Sequence, residues 1–206
     1  MPTYNQDSLL KKSLESVLKQ TYKKWEVIII NNFSDDKTTN VINSFKDNRI
    51  RTINFKNNGV IAASRNYGIR VSKFPYIAFL DSDDLWFPNK LEKSLLLLEK
   101  GNDIVCHDEI WKWSNCYSKL VQYGPEKNAN YEDLLFKGNV LSTSAICLKK
   151  DLLINCNGFN ESVLMAGNED YDLWMRLSLK SKIAFIREPL GYYTIHEQNT
   201  SGKLLK

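Results

Sequence analysis

The sequence predicts an α/β fold: a doubly wound, mostly parallel sheet with flanking helices and a small antiparallel part. Short apolar runs of strand length alternate with amphipathic helical segments through the first half of the chain. One apolar run, residues 76–80, stops abruptly at Asp81, Ser82, Asp83 and Asp84. Open α/β sheets bind ligands at the carboxyl ends of their strands, so this acidic turn marks a candidate site.

The first helix is predicted from Ser8, which can cap it, and its apolar residues Leu10, Leu14, Val17 and Leu18 share one face. The elements that follow in the first half are predicted in order as a strand at 26–30, a polar turn at 31–37, an amphipathic segment ending at 45, a strand at 50–55, a helix at 60–71 and the strand at 76–80.

After the acidic turn, Asp84 is expected to cap a helix that carries Leu91, Leu95 and Leu98 on its buried face. The pattern then becomes less regular. It predicts a strand at 103–107, an edge strand or hairpin at 111–123, a short helix at 131–137, a strand at 144–148, a helix at 169–179 and strands at 183–186 and 192–195. No repeat or linker interrupts residues 1–206, which we interpret as a single domain.

Composition excludes several classes of protein. The chain has 206 residues, 43% of them hydrophobic, which is enough for one well-packed core. A net charge of +4 is compatible with phosphate-bearing ligands or with peripheral contact to an anionic membrane face, but no arginine-rich stripe indicates a nucleic-acid partner. The four cysteines lack Cys-x-x-Cys spacing and only two histidines are present, so a structural zinc site is not expected.

The expected location follows from the same features. We find no N-terminal leader and no apolar stretch long enough to be a transmembrane segment. The sequence therefore predicts a reduced, cytoplasmic protein, peripheral at most at the inner membrane face.

The acidic turn itself has two interpretations. Closely spaced carboxylates repel one another, and aspartate oxygens are suitable ligands for Mg²⁺ or Mn²⁺. A metal ion would therefore offset the negative charge of the turn, and it could bridge the turn to a diphosphate. Aspartates after a strand also form ordinary turns and helix caps. The turn alone does not decide between these.

Eight short motifs occur in order along nearly the whole chain, at residues 2–5, 20–22, 31–38, 64–68, 79–84, 158–159, 169–174 and 193–196. Together they resemble the family 2 glycosyltransferases, whose nucleotide-binding domain has the GT-A fold. The resemblance implies transfer of a sugar, with inversion, from a nucleotide-diphosphate donor, a UDP-sugar, to an acceptor hydroxyl. It also implies a role in the synthesis of a surface polysaccharide or glycolipid.

The resemblance implies a metal site in the acidic turn. Asp81 and Asp83 match the family's Asp-X-Asp pair, with Asp83 as the direct ligand of Mn²⁺ or Mg²⁺ and Asp81 meeting the ribose or water around the metal. His196 is similar to a late histidine that closes over the diphosphate and ligates the metal. The alternative for His196 is an ordinary loop residue.

The resemblance also implies a catalytic base. Asp170 corresponds to the base of the family, and a neighbouring carboxylate can raise its pKa. Glu169, Asp170 and Asp172 could instead all complement the dipole of the helix that begins there. Arg65 is expected to approach the diphosphate or the nucleotide base of the donor, unless it is a solvated helix arginine.

The implied donor-binding residues are Thr3, Tyr4, Asn31, Asn32, Arg65, Asp81 and Glu169. Asn31 and Asn32 replace two aspartates of the family pattern, although their amides can still pair with uracil. We expect residues 1–107 to form the nucleotide-sugar-binding half and residues 108–206 the acceptor-binding half. Acceptor specificity should reside in the irregular stretch 111–140.

A second departure concerns the beginning of the sheet. In the family an apolar strand runs into the motif at Pro2, whereas here only Met1 precedes it. Residues 2–5 are therefore expected to form a loop, and the first strand of the family to be missing. Either the true start lies upstream or the sheet lacks a middle strand, at a cost of roughly 1.5–3 kcal/mol per lost apolar side chain.

Three other functions compete with glycosyl transfer. A catalytically inactive sugar-nucleotide-binding domain is favoured by the paired asparagines. A phosphatase of the haloacid-dehalogenase type would use Asp81 as its nucleophile. A nucleotidyltransferase is chemically close, but it would usually open with a glycine-rich phosphate loop that we do not find.

Overall fold

The computed structural model describes residues 1–124, 131–196 and 199, in which helices and strands alternate as predicted. The strands are β1 (Pro2–Thr3), β2 (Val27–Asn31), β3 (Ile50–Asn54), β4 (Tyr76–Ala78), β5 (Leu85–Trp86), β6 (Ile104–Trp113), β7 (Ser118–Val121), β8 (Ile146–Lys149) and β9 (Ile183–Ile195). The helices are α1 (Asp7–Leu18), α2 (Thr38–Ser44), α3 (Ile61–Val71), α4 (Lys90–Glu99), α5 (Tyr131–Lys137), α6 (Lys150–Asn155) and α7 (Glu169–Ser178).

The strands form two sheets. The first has the order β1-β2-β3 and is parallel throughout. The second has the order β4-β8-β6-β9-β5, with β7 paired to β6, and β6 and β9 are its parallel pair. The predicted α/β class with a parallel sheet and flanking helices is confirmed. The antiparallel part is larger than predicted, because β7 returns from β6 as a hairpin and β8 runs against both β4 and β6.

The first residues of the chain are not the loop that the sequence predicts. Pro2 and Thr3 pair in parallel with Ile30 and Asn31, and the carbonyl of Met1 accepts a hydrogen bond from the amide of Ile30 (2.9 Å). The sheet position of the expected first strand is thus represented by two residues. Beside it lies an apolar groove of about 260 Å³ whose lining includes side chains of both β2 and β4.

Two large clusters of buried apolar side chains hold the layers together. One joins α1 to the parallel sheet and contains Leu10, Leu14 and Val17, as the helical spacing predicts. The other lies under the second sheet and includes Phe159 and Trp174, whose ring centroids are 6.1 Å apart. The apolar face predicted for the helix at 169–179 therefore packs inward as α7.

Two predicted helix caps are wrong. Helix α1 already begins at Asp7, so Ser8 lies inside its first turn. Asp84 does not cap α4, because Leu85 and Trp86 form strand β5 and the helix starts only at Lys90. The sequence could not show this pairing, since the partner of β5 is β9, about a hundred residues later.

Asp84 instead ties the acidic turn to the second sheet. Its side chain is buried, and its carboxylate accepts hydrogen bonds from the Ser144 hydroxyl (2.5 Å) and the Thr194 amide (2.9 Å). Burial, followed by the charges of Asp83 and Glu109, raises the pKa of Asp84 well above its usual value. The turn is therefore fixed to the second sheet by a buried carboxyl group.

The two predicted strands near the C-terminal end are one. β9 runs unbroken from Ile183 to Ile195, and its pairing with β6 shifts register near Pro189. The irregularity lies at the gap between the two predicted strands, and a bulge accommodates it without ending the strand. None of the helices in the described residues is long and apolar enough to cross a bilayer.

Candidate active site

One cleft, with a volume of about 720 Å³, collects most of the predicted site residues. Its lining includes Thr3, Tyr4, Asn32, Arg65, Asp81, Asp83, Glu169 and Asp170. These residues come from β1, the loop after β2, helix α3, the acidic turn and the start of α7. Asn31 and His196 are not part of the lining.

Arg65 lies at the centre of this arrangement. Its side chain projects from α3 and is only 6% exposed. One terminal nitrogen donates to both carboxylate oxygens of Asp81 (2.9 and 3.1 Å), and the other donates to Glu169 (2.8 Å). Burial opposes the charge, but the two carboxylates outweigh it and raise the pKa of Arg65. The guanidinium thus joins the acidic turn to the start of α7.

This placement bears on what Arg65 can contact. Both of its terminal nitrogens donate to protein carboxylates, so its charge is already balanced within the site. A solvated helix arginine is excluded by the burial. The expectation that Arg65 approaches the diphosphate or the nucleotide base of the donor stays a prediction. The structure adds a role for Arg65 in positioning Asp81 and Glu169.

Asp83 and His196 form the other notable pair. The His196 Nε2 atom lies 2.9 Å from Asp83 Oδ2, although the two residues are 113 positions apart. Asp81 is turned towards Arg65 instead. Within the described residues, no group of three or more His, Cys, Asp or Glu side chains could hold a metal ion. The predicted ligand set of Asp81, Asp83 and His196 is therefore not assembled as a trio.

The Asp83 and His196 pair nevertheless fits a divalent metal. Mg²⁺ in nucleotide sites is usually held by one or two protein carboxylates, and the substrate phosphates and water supply the other oxygens. An imidazole nitrogen beside a carboxylate oxygen also suits Mn²⁺. The donor set is thus adequate for a metal that binds together with a diphosphate.

Asp170 sits at the N-terminal end of α7 with its carboxylate towards the cleft. It accepts hydrogen bonds from the Thr143 hydroxyl (3.2 Å), the Asn139 amide (3.3 Å) and the backbone N–H of Tyr171 (2.7 Å). Burial raises the pKa of Asp170, with Arg65 opposing and Glu169 adding to the rise. This environment suits a carboxylate that must accept a proton.

The neighbouring acidic residues are engaged elsewhere. Glu169 is bound by Arg65 and by the amide of Gly167 (2.7 Å), and Asp172 pairs with Arg176 one turn further along the helix (2.7 Å). Of the acidic residues in the first turn of α7, Asp170 is the one whose carboxylate lines the cleft and, among the described residues, forms no ion pair with a cation. The structure thus supports the candidate favoured by the family motif.

The two asparagines after β2 have different surroundings. Asn31 is 2% exposed. Its side-chain oxygen Oδ1 accepts hydrogen bonds from the backbone amide and the hydroxyl of Ser34, and its side-chain nitrogen Nδ2 donates to Oδ1 of Asn54. It therefore shapes the turn and does not reach the cleft. Asn32 lines the cleft, and the buried hydroxyl of Thr3 beside it has no hydrogen-bond partner among the described residues. The Thr3 hydroxyl is therefore available for a ligand, whereas the side-chain oxygen of Asn32 already accepts a hydrogen bond from the backbone amide of Asn57 (3.1 Å).

Sequence reasoning missed several cleft residues. Asn139 and Thr143 hold the carboxylate of Asp170, and Trp111 and Tyr123 also line the cleft. No motif marks these positions. The only signal was the alternating pattern at 111–123, which predicted the hairpin correctly but not the direction of its side chains.

Comparison with known proteins agrees with this geometry. Residues 1–131 match the sequence profile of the family described as Glycosyl transferase family 2. The chain belongs to this family. It is 33% identical over 188 residues to the UDP-Glc:alpha-D-GlcNAc-diphosphoundecaprenol beta-1,3-glucosyltransferase WfgD of Escherichia coli, covering 90% of this chain and 71% of that protein.

Other relatives are longer. An uncharacterised glycosyltransferase of Rickettsia bellii is 34% identical over 210 residues, which cover 98% of this chain and 29% of the relative. A second one, from Rickettsia typhi, is 30% identical over 217 residues, covering the whole of this chain and 65% of the relative. The chain thus spans between about a third and two thirds of the length of these relatives.

Solved structures show the same fold. TarS of S. aureus, residues 1–349 in complex with UDP-GlcNAc, superposes with a TM-score of 0.78 over 96% of this chain and 58% of that chain, at 19% identity. A mannosyltransferase of Pyrobaculum calidifontis in complex with GDP-Man and Mn²⁺ gives a TM-score of 0.70 over 96% of this chain and 56% of that chain, at 16% identity. The GT-A fold is confirmed by these matches.

We expect Arg65→Met to destabilise the protein strongly. The substitution would leave Asp81 and Glu169 without their shared cation. Breaking a buried ion pair lowers the free energy of unfolding by about 3–5 kcal/mol. Because the Asp81 side chain is partly exposed, we expect a loss near the lower end of this range. Urea unfolding measures the change. Arg70→Met, an exposed arginine on the same helix, is the control and should shift the free energy of unfolding by at most about 0.5 kcal/mol. Equal effects of the two substitutions would contradict the assigned role.

We also expect Thr143→Val to raise the pKa of Asp170, because the Thr143 hydroxyl stabilises the ionised carboxylate and valine cannot replace that hydrogen bond. The side-chain carboxyl signal of Asp170 in an NMR pH titration reports this pKa directly. Thr52→Val, at an exposed position on β3, provides a matched control. An unchanged or lower pKa in Thr143→Val would show that the hydroxyl does not act on Asp170.

Proposed function

We propose that this domain is an inverting, metal-dependent glycosyltransferase that moves a sugar from a UDP-sugar to an acceptor hydroxyl. The observation that carries the proposal is the common cleft. Asp83 and Asp170 come from distant parts of the chain and line the same cleft, and His196 contacts Asp83. The transfer needs a site for the leaving diphosphate and a base for the acceptor, and the cleft offers a candidate for each.

Asp170 acts as the general base in this proposal. As the acceptor oxygen attacks the anomeric carbon, its proton passes to a carboxylate oxygen of Asp170. The bond between that carbon and the diphosphate oxygen breaks, and the electron pair leaves with UDP. The raised pKa of Asp170 makes the carboxylate a stronger proton acceptor than an ordinary aspartate.

Asp83 and His196 would hold the divalent metal, Mn²⁺ or Mg²⁺. When bound, such an ion supplies positive charge against the negative charge that develops on the departing diphosphate. Asp81, fixed by Arg65, borders the same part of the cleft and is suited to bind the ribose or metal-bound water. Thr3, Tyr4 and Asn32, which line the cleft, would contact the nucleoside.

The relatives support the choice of donor and acceptor. The name of the E. coli relative gives UDP-Glc as its donor and a lipid-linked GlcNAc diphosphate as its acceptor, and TarS has been solved with UDP-GlcNAc. We therefore propose a UDP-sugar as donor and a glycan or glycolipid acceptor of surface polysaccharide synthesis. A lipid-linked acceptor would bring the domain to the cytoplasmic face of a membrane as a peripheral protein. Residues 1–107 would provide most donor contacts and residues 108–206 most acceptor contacts.

We expect Asp170→Asn to reduce turnover by about 10²–10⁴-fold, the usual contribution of a general base, while UDP binding persists. Release of UDP from UDP-glucose or UDP-GlcNAc in the presence of an acceptor measures turnover, and calorimetry measures UDP binding. Asp172→Asn, two positions further along the helix, is the control and should retain turnover. If the unaltered protein binds UDP with Mn²⁺ but shows no turnover, it is the inactive sugar-nucleotide-binding domain instead.

A second prediction concerns the metal. Asp83→Asn should weaken the Mn²⁺-dependent binding of UDP by at least about tenfold, since changes even outside the ligand sphere cost about 10–100-fold in metal affinity. Calorimetric titration of UDP with Mn²⁺, and again with EDTA, measures this effect. Asp151→Asn, at an exposed position on α6, should leave it unaltered. UDP binding that is equally strong with EDTA would refute metal dependence.

A further inference from the structure

An aromatic wall lines the cleft on the side of the second sheet. It consists of Trp111 on β6, Tyr123 after β7 and Tyr193 on β9, and this set of three is called the aromatic wall below. Trp111 and Tyr193 are register partners in the sheet, and their ring centroids lie 5.2 Å apart with planes inclined by 35°. The indole of Trp111 is therefore backed by a second ring.

Hydrogen bonds fix the orientation of the wall. The indole N–H of Trp111 donates to the hydroxyl of Tyr123 (3.0 Å), and that hydroxyl donates to Oε2 of Glu109 (2.8 Å). Ser142, which also lines the cleft, forms a second side-chain hydrogen bond with Glu109. A tryptophan whose single donor is engaged in this way cannot rotate without breaking the bond.

Burying Glu109 in this position is unfavourable for the stability of the fold. It is 1% exposed, and burial raises its pKa, although the bonds to Tyr123 and Ser142 lower it in part. A buried carboxyl group is unfavourable for stability unless its hydrogen bonds compensate, and a well-packed apolar residue is often as good. Both of its side-chain partners line the cleft, which indicates that Glu109 serves the shape of the site.

We propose that Trp111, held in place by Tyr123 and Glu109 and backed by Tyr193, is the platform on which the sugar ring of the acceptor lies. The face of a pyranose ring presents C–H groups that pack on an aromatic ring, while its hydroxyls point outward in the ring plane. Ligand pockets of this kind combine aromatic surface with a few polar groups. Here Asn139, Ser142 and Thr143 supply polar groups on the same cleft.

The position of the wall relative to the base favours the acceptor over the donor. Asn139 and Thr143, which hold Asp170, lie in the segment that also carries Ser142. The nucleoside contacts proposed above come from β1 and the loop after β2, which belong to the other sheet. Trp111 and Asp170 line the same cleft, and in this proposal a sugar on Trp111 presents a hydroxyl to Asp170. This assignment rests on the proposed function, since it takes Asp170 as the base.

The first test is the binding of a simple sugar. Saturation-transfer NMR with methyl N-acetyl-α-D-glucosaminide, in the presence of UDP and Mn²⁺, should show transfer from the unaltered protein to the sugar. Trp111→Ala should abolish this signal and retain its UDP affinity within about twofold. Tyr117→Ala removes an exposed aromatic ring of the same hairpin that is not part of the cleft lining, so it should retain the signal.

The results separate this inference from the proposed function. Sugar binding that depends on Trp111 supports the platform even if the protein shows no turnover. The platform is refuted if the unaltered protein gives no signal, or if Trp111→Ala keeps it. It is also refuted if Trp111→Ala loses UDP affinity as strongly as sugar binding, because Trp111 would then contact the donor.

The role of Glu109 is tested by a pair of substitutions. Glu109→Leu should raise the acceptor KM by about tenfold, the loss of one aromatic contact, and should affect kcat less. Glu109→Gln keeps an oxygen that can accept from Tyr123 and should restore the KM to within about twofold of the unaltered protein. Thermal unfolding of both variants checks that they remain folded. Equal KM values in Glu109→Leu and the unaltered protein would remove Glu109 from the positioning network.

Discussion

The site depends on one buried guanidinium. Arg65 binds Asp81 from the acidic turn and Glu169 from the start of α7, two residues 88 positions apart in the sequence that would repel each other at close range without a shared cation. Asp83 lies two positions after Asp81, and Asp170 directly follows Glu169. The same guanidinium therefore constrains the distance between the proposed metal site and the proposed base. Burial strengthens this electrostatic connection, since little solvent screens it.

A second set of polar groups, buried beneath the acidic turn, supports the residues that line the cleft. Ser144 accepts from the amide of Asp81 (3.1 Å) and donates to the carboxylate of Asp84. Lys90, fully buried, places its ammonium over the ring of Trp86, 3.9 Å from the centroid, and burial lowers its pKa to about 8. Groups of this kind cost free energy to bury, so their presence behind the cleft indicates that the shape of the acidic turn matters more here than maximal stability.

The sequence predicts the local features of the protein well. The apolar spacing of α1 and α7, the strand before Asp81 and the helix at 131–137 all depend on neighbouring residues, and each is found in the structure. The ordered motifs also identify the family and the two acidic segments of the site. Such features are encoded within short windows, where periodicity and turn residues are informative.

What the sequence could not predict depends on contacts between distant residues. In the sequence Asp84 has the pattern of a helix cap, and only the pairing of β5 with β9 shows that it is not one. Asn31 has the pattern of a ligand contact, but its side chain forms hydrogen bonds with Asn54 and Ser34 instead. The hydrogen bonds from Trp111 to Tyr123 and from Tyr123 to Glu109 likewise depend on the hairpin that brings Tyr123 back to β6, and no periodicity reveals them.

The most direct measurement of the central claim is a crystal structure of the protein with UDP and Mn²⁺, with data collected at the manganese absorption edge. The account predicts an anomalous peak at Asp83 and His196, in contact with the diphosphate, while Arg65 still bridges Asp81 and Glu169. Diphosphate bound in the cleft without a peak at Asp83, or a peak elsewhere, would contradict it.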